Sequence, residues 1–304
     1  MNIGIIGAGA MGCLYACMLS KRHEVTLFDV IAENVNKINR CGIKYKSASG
    51  EEKTYAVTAK MSGEGSTEYD LLILFVKDTA SRAALETNSN IIGKDTILLS
   101  LQNGMGNYEI MQNFAPAEHI LLGTTKHNCV TVAPGEIYHS GSGITRTGSP
   151  NGNIKYAHIV AAAFSECGID TAIEEKINHL LWEKLFVNMT INPITALFGC
   201  EIGVLAIDEY AKDTAKSLIC EAVKVAKADG EDFDADEVYS NLIKTADALK
   251  TGKASMCQDI ERGRKTEIDF INGAVIKLGK KYDIDTPCHK IMANLIHLKE
   301  DLIR

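Results

Sequence analysis

The sequence predicts an α/β chain in two parts, a doubly wound parallel sheet followed by an all-helical second half. Three observations predict it. A glycine-rich turn joins a short apolar run to a helical pattern at the start of the chain. Further strand-like runs alternate with helical or loop stretches as far as Ile173. After about residue 176 that alternation gives way to long helical periodicities. No internal repeat or low-complexity segment interrupts this order.

The first element is Asn2-Ile3-Gly4-Ile5-Ile6, an apolar run that enters Gly7-Ala8-Gly9-Ala10-Met11-Gly12. Residues 13–21 read as a helix, with Cys13, Leu14, Cys17, Met18 and Leu19 apolar. Glu24–Phe28 reads as a second strand ending at Asp29, which falls 20 residues after Gly9. A GxGxxG run alone carries little weight, but strand before, helix after and acid beyond make it the fingerprint of a Rossmann dinucleotide-binding unit. Gly7 permits the tight turn. Gly9 lets a pyrophosphate approach the backbone of the turn at the helix start, Ala8, Ala10 and Met11 included, and Gly12 lets that helix pack against the sheet.

A carboxylate at Asp29 accepts hydrogen bonds from ribose hydroxyls and repels a 2′-phosphate, which favours NAD(H) over NADP(H). Val30–Asn36 offers no Arg or Lys to receive that phosphate, and Lys37 is the first candidate. The alternative for Asp29 is a cap on a helix starting near Ile31.

Strands follow at Tyr55–Thr58, Leu71–Val76 and Thr96–Leu101. Two of their ends carry polar residues where open α/β sheets bind ligands: Lys77-Asp78-Thr79 and Gln102-Asn103-Gly104-Met105-Gly106. Asn103-Gly104 is equally a turn dipeptide. Leu121–Thr147 reads as β-rich, with Gly135, Gly141, Gly143 and Gly148 marking turns. A helix at about 153–168 and a short segment at Gly168–Ile173 close a first domain of residues 1–175.

Residues 176–304 form the second domain, with helices expected at Ala211–Ala228, Ala235–Leu249, Ile268–Lys281 and Cys288–Ile303. It opens on Leu181-Trp182-Glu183-Lys184-Leu185-Phe186-Val187-Asn188-Met189-Thr190-Ile191-Asn192-Pro193. Steps of four put Lys184, Asn188 and Asn192 on one helix face, either a solvated stripe or a polar face turned to a ligand. Pro193 predicts that the helix ends or kinks just after Asn192. In Ser255–Phe270, Ser255 and Thr266 suit helix caps and Glu267 and Asp269 a solvated face.

Composition excludes other classes. At 304 residues, 46% hydrophobic and 23% charged, the chain is an ordinary globular protein, with a net charge of −7 that argues against nucleic acid as a partner. No apolar run approaches the roughly 20 residues that span a bilayer, and no leader precedes the first strand, so a cytoplasmic location is expected. Nine scattered cysteines without a CxxC pair predict neither disulfides nor a metal site; Cys13 and Cys17, at helical spacing, suit packing. Val275, Ile276, Ile291 and Leu295 are core or, less commonly, a homodimer face.

Taken together, GAGAMG, QNGMG, WEKLFVNMTINPITAL and SMCQDIERGRKTEIDFINGAV resemble the ketopantoate reductase (2-dehydropantoate 2-reductase) family over nearly the whole chain. The resemblance implies a Rossmann domain and a helical domain of the 6-phosphogluconate dehydrogenase C-terminal-like kind. It implies reduction of 2-dehydropantoate to (R)-pantoate for coenzyme A synthesis, with NADP(H) as the common cofactor. Lys184 then matches the proton donor, Glu267 an essential acid near cofactor and substrate, and Asn188, Asn192 and Ser255 substrate contacts. Asn103 matches the residue between nicotinamide and substrate, and Lys77 and Lys126–Cys129, Cys129 included, match cofactor contacts. Two departures stand out. Asp29 replaces the family's usual basic residue, and Ile202 replaces an Asn before Gly203. Both point to relatives that act as NAD-dependent D-2-hydroxyacid dehydrogenases on branched or aromatic 2-keto acids. A non-catalytic sensor of NAD(P) is the reading from another class, and Lys184 with its partners argues against it.

Overall fold

The computed structural model describes residues 1–303. They form two compact units, Met1–Gln102 with Asn107–Ile177, and Asn103–Gly106 with the chain from Asn178 onward.

The first unit begins β1 (Asn2–Ile6), α1 (Ala10–Leu19), β2 (Glu24–Asp29), α2 (Ala32–Cys41), β3 (Ile43–Ser47), β4 (Glu52–Tyr55), β5 (Thr58–Met61) and β6 (Leu71–Leu74). It continues with α3 (Ser81–Thr87), β7 (Ile97–Ser100), α4 (Asn107–Met111), β8 (Ile120–Thr125), β9 (Asn128–Ala133), β10 (Glu136–Gly141), β11 (Thr145–Gly148), α5 (Lys155–Glu166) and β12 (Thr171–Ile173). An eight-stranded sheet runs β12-β11-β8-β7-β6-β1-β2-β5, and a four-stranded sheet β4-β3-β10-β9. The run β8-β7-β6-β1-β2-β5 is parallel throughout. Numbered among themselves, those strands have the Rossmann order, with its switch point between β1 and β6.

The sequence explains the central strands. Every residue of β6 (LLIL) and β7 (ILLS) is buried, as expected where both faces of a parallel sheet are covered. Each fully buried Leu or Ile stabilises the fold by roughly 1.5–3 kcal/mol. Helix α1 packs against β1 and β2 on one side and against β3, β9 and β10 of the small sheet on the other. That sandwich explains its apolar surface all round and the burial of Cys13, Leu14, Tyr15, Ala16, Cys17 and Leu19. Burial pushes the Cys13 thiol up to about 12 and raises that of Cys17 as well, so both are packing residues at neutral pH.

One expected strand is redrawn. Tyr55–Thr58 is a junction, where β4 ends at Tyr55 in the small sheet and β5 begins at Thr58 in the large one. Residues that carry the chain between two sheets read locally like one extended strand.

The helical unit contains α6 (Ile177–Phe198, which begins at the junction), α7 (Val204–Ile207), α8 (Glu209–Ala228), α9 (Ala235–Ala248), α10 (Ser255–Glu261), α11 (Ile268–Lys281) and α12 (Pro287–Leu302). Its core joins Trp182, Phe186 and Met189 of α6 to Leu218, Ala222 and Val225 of α8, Ile271 and Val275 of α11, and Ile296 of α12. Val275 is therefore core and Ile276 packs against it, whereas Ile291 and Leu295 are exposed. Asp208 and Asp234 cap α8 and α9, accepting from the backbone N–H groups of Ala211 and Glu237.

Of the end or kink expected just after Asn192, the end does not occur: α6 runs through Pro193 to Phe198. A proline lacks the N–H that would bond the carbonyl four residues earlier, at Met189. Here a side chain replaces it: Asn272 Nδ2 of α11 donates to the Met189 carbonyl at 3.0 Å. Tertiary context overrides the local signal.

Among the described residues no helix is long and apolar enough to cross a membrane, and no cluster of His, Cys, Asp or Glu has the make-up of a metal site.

Candidate active site

In the first unit, the glycine turn leads from β1 into α1. Gly7 sits at φ +107°, and a Cβ there would lie 2.9 Å from the Phe75 backbone. A Cβ on Gly12 would lie 1.9 Å from the Gly7 carbonyl oxygen. The fold itself requires both glycines. Gly9 is different: its backbone is ordinary extended (φ −75°), and nothing lies within 4 Å of the position a Cβ would take. Only something approaching from outside gives a reason for glycine there. Gly9 is exposed, Ala10 and Met11 are half-buried beside it, and the first turn of α1 carries no acid to oppose an anion.

Asp29 ends β2 almost completely buried. One carboxylate oxygen accepts from the Ala8 N–H and the other from the Ile31 N–H, both at 2.7 Å. The acid therefore braces the glycine turn and the entry to α2 together, so the capping alternative describes part of its role. Val30 and Ile31 beside it are exposed, and Lys37 lies 3.9 Å from Glu136.

The ends of β6 and β7 hold a network that sequence reasoning missed. Gln102 Nε2 donates to the Val76 carbonyl at 2.7 Å and to Ser81 Oγ at 2.8 Å, while its Oε1 accepts from Ser100 Oγ at 2.9 Å. Asn107 Nδ2 donates to buried Asp78 at 2.6 Å. These amides tie the two strand-end loops to each other and flank Lys77, which is itself exposed. The available signal was the alternation of polar residues directly after an apolar strand, Ser100-Leu101-Gln102, which leaves polar side chains on a buried register.

From the β8–β9 turn into the start of β9, Lys126 and Asn128 are exposed and Cys129 is half-buried, its thiol pushed up to about 12 by desolvation. Cys129 is therefore a neutral contact surface. His127 Nδ1 pairs with His139 Nε2 at 3.1 Å, and His139 Nδ1 with the Tyr45 hydroxyl at 2.9 Å. Burial lowers both imidazole pKa values, and for His127 the neighbouring His139 adds to it.

In the helical unit, Lys184 and Asn188 are half-buried and Asn192 is 6% exposed, so the stripe on α6 is sheltered. Glu267, just before the first residue of α11, is 9% exposed. The loop Asn103–Gly106 belongs to this unit. Its Met105 N–H donates to the Phe270 carbonyl at 3.0 Å, and Gly104 (φ +79°) is there because a Cβ would stand 2.4 Å from that same oxygen. Together with Asn272 on Met189, this bond links the elements that carry Asn103, Glu267 and the Lys184 stripe.

Ser255 opens α10 as an exposed residue without a capping bond. Thr266 Oγ1 accepts from the Ile268 N–H at 3.3 Å just ahead of Glu267, the N-cap of α11. Ile202 lies in the hydrophobic core of the unit, its N–H bonded to the Gly252 carbonyl at 2.9 Å.

A Rossmann unit with an anion-ready glycine turn, followed by a helical unit with a sheltered lysine–amide stripe, defines a dinucleotide-binding oxidoreductase. The ketopantoate reductase PanE/ApbA family model matches residues 3–152, and its C-terminal counterpart matches residues 176–300. The chain belongs to the ketopantoate reductase family, whose members are NAD(P)-dependent oxidoreductases acting on a CH–OH group. It is 33% identical to 2-dehydropantoate 2-reductase of Streptococcus pyogenes serotype M3, over 100% of this chain and 99% of that one. It is 32% identical to 2-dehydropantoate 2-reductase of Pyrococcus horikoshii, over 99% and 98%. Among solved structures, D-mandelate dehydrogenase with NADH and anilino(oxo)acetate superposes with a TM-score of 0.93 at 31% identity, covering 100% of this chain and 99% of that one.

Proposed function

We propose that the chain reduces 2-dehydropantoate to (R)-pantoate with a nicotinamide dinucleotide, through Lys184, Asn188, Asn192 and Glu267. One observation carries this reading. The helical unit ties the loop of Asn103, the helix of Lys184 and the helix of Glu267 together through the Met105–Phe270 and Asn272–Met189 bonds.

The first unit fits the cofactor: Gly9 leaves open backbone at the start of α1, and the N–H groups of Ala10 and Met11 with the helix dipole suit its pyrophosphate. When bound, the dinucleotide supplies the hydride. Negative charge then builds on the substrate carbonyl oxygen, where the Lys184 ammonium stabilises it and passes over a proton from Nζ. Asn188 and Asn192 offer amide N–H groups to a carboxylate or hydroxyl without adding a competing charge. Glu267 accepts from a substrate hydroxyl, and Ser255 offers a further hydroxyl. Lys77, Asn103 and Cys129 are read as cofactor contacts.

NADH is the proposed preference. The anchored Asp29 carboxylate faces a 2′-phosphate with repulsion, and Lys37, the first cation after it in sequence, lies beside Glu136.

A second reading, D-2-hydroxyacid dehydrogenase activity on branched or aromatic 2-keto acids, draws support from the likeness to D-mandelate dehydrogenase. A steady-state assay of 2-dehydropantoate and 2-ketoisocaproate, each with NADH and NADPH, separates the two. A higher kcat/KM for 2-dehydropantoate is expected, and a large preference for 2-ketoisocaproate would replace the first reading with the second. Lys184→Ala should lower kcat by about 100-fold or more while cofactor affinity holds within about twofold. Equal losses in both would remove Lys184 from the proton-donor role.

A further inference from the structure

The side chain that allows α6 to run through Pro193 also stands between the two halves of the catalytic set. Met189 is fully buried and lies between Asn188 and Asn192, so its carbonyl, deprived of a helical donor, has no water to turn to. Asn272 Nδ2 donates one hydrogen to it at 3.0 Å and the other to His289 Nδ1 at 3.1 Å. His289 Nε2 in turn donates to the Leu218 carbonyl at 3.0 Å, which makes Nδ1 the acceptor and fixes the tautomer. Asn272 and His289 are both fully buried. Asn272 Oδ1 has no hydrogen-bond partner among the described residues, so the amide is held by its two donors.

Asn272 lies on α11 five residues after Glu267. An ordinary residue at 193 would let α6 satisfy Met189 by itself, leaving α11 to lie against it by apolar packing alone. Packed helices slide past one another by small shears, whereas a buried hydrogen bond fixes both distance and angle. Proline at 193 turns a backbone carbonyl into an anchor, and Asn272 is the group that takes it.

We propose that Asn272 is a positioning residue for the reduction. It sets the register of α11, and with it Glu267, against the Lys184, Asn188 and Asn192 stripe of α6. This rests on the reading of that stripe and Glu267 as the reacting set.

The test separates positioning from stability. Asn272→Leu should lower kcat about 10-fold or more and raise KM for the 2-keto acid, with NADH affinity held within about twofold. Because that variant leaves Met189 without a donor, Pro193→Ala/Asn272→Leu is made beside it, with Pro193→Ala as its reference. Alanine at 193 returns the backbone N–H to the Met189 carbonyl, so the double variant recovers that part of the stability and keeps only the cost of the unpaired His289 Nδ1, yet its kcat should stay about 10-fold below the reference. Recovery of kcat together with stability would reduce Asn272 to a structural role and overturn the proposal. Lys184→Ala is assayed in parallel. Wild-type turnover by that variant would overturn the reading of the site and this proposal together. An impaired Lys184→Ala with a fully active double variant would overturn this proposal alone.

Discussion

The two units make their candidate surfaces from different material. In the first, the surface is backbone: a turn, a helix start and the loop after β6, held by Asp29 and Gln102 from behind. In the second it is side chains, Lys184, Asn188, Asn192 and Glu267, on helices cross-linked by a buried amide. A backbone site depends on which positions lack a side chain, whereas a side-chain site depends on the register of whole helices. The first kind is broken by adding a methyl group, the second by letting two helices slip.

The largest effect is expected at Gly12. A methyl group there meets the Gly7 carbonyl oxygen at 1.9 Å, and the backbone on both sides is pinned by the sheet. Gly12→Ala should therefore cost about 3 kcal/mol or more, the upper range for overpacking. Denaturant midpoints measure this, and a loss below about 1 kcal/mol would show that α1 can move away from the turn without penalty.

Gly9→Ala sharpens the contrast within the same motif. Nothing in the protein meets that methyl group, so stability should change by no more than about 0.5 kcal/mol. NADH binding should nevertheless weaken about 10-fold, which is about 1.4 kcal/mol. Unchanged NADH affinity by fluorescence titration would mean the pyrophosphate does not lie over Gly9.

These two glycines show how far sequence carries. The motif could be read because strand, turn, helix and acid lie within the first 29 residues, and local geometry decides their roles. The α6 stripe could also be read, because a period of four is local. What was not legible depends on partners far along the chain. Asn272 stands 83 residues from the carbonyl it rescues, so Pro193 read as the end or a kink of the helix. Gln102 reaches 26 residues back to Val76, and the local alternation Ser100-Leu101-Gln102 marks it as buried and polar without showing which loop it braces. That Ile202, read as the replacement for an Asn, packs into the helical core is likewise a tertiary fact.

An effect smaller than that at Gly12 is expected at Gln102, where the first unit uses side chains to hold backbone. Gln102→Leu strands the Val76 carbonyl and two serine hydroxyls in a buried place, at a cost of about 1–3 kcal/mol. NADH affinity should fall more than 2-keto acid affinity, because the loop it holds carries Lys77, a proposed cofactor contact. A selective loss of 2-keto acid binding would assign the brace to the other half of the site.

The smallest expected effect compares the buried histidines of the two units. His127 and His139 share one hydrogen bond in the first unit, and His289 accepts from Asn272 in the second. Desolvation lowers all three below the ordinary value of 6.5, with His139 adding to the effect on His127. The unfolded chain therefore binds protons first as pH falls through about 6.5, and stability declines from there towards the lower folded values. His297 works in the opposite sense, since Asp269 and Glu300 raise it against its burial. The units can be told apart by variant. His127→Gln/His139→Gln should flatten part of the decline in denaturation midpoint between about pH 7 and 5.5, leaving the share that belongs to His289. If the slope were untouched, the proton-sensitive step would lie in the helical unit, and acid would act first on the helices that carry Lys184 and Glu267.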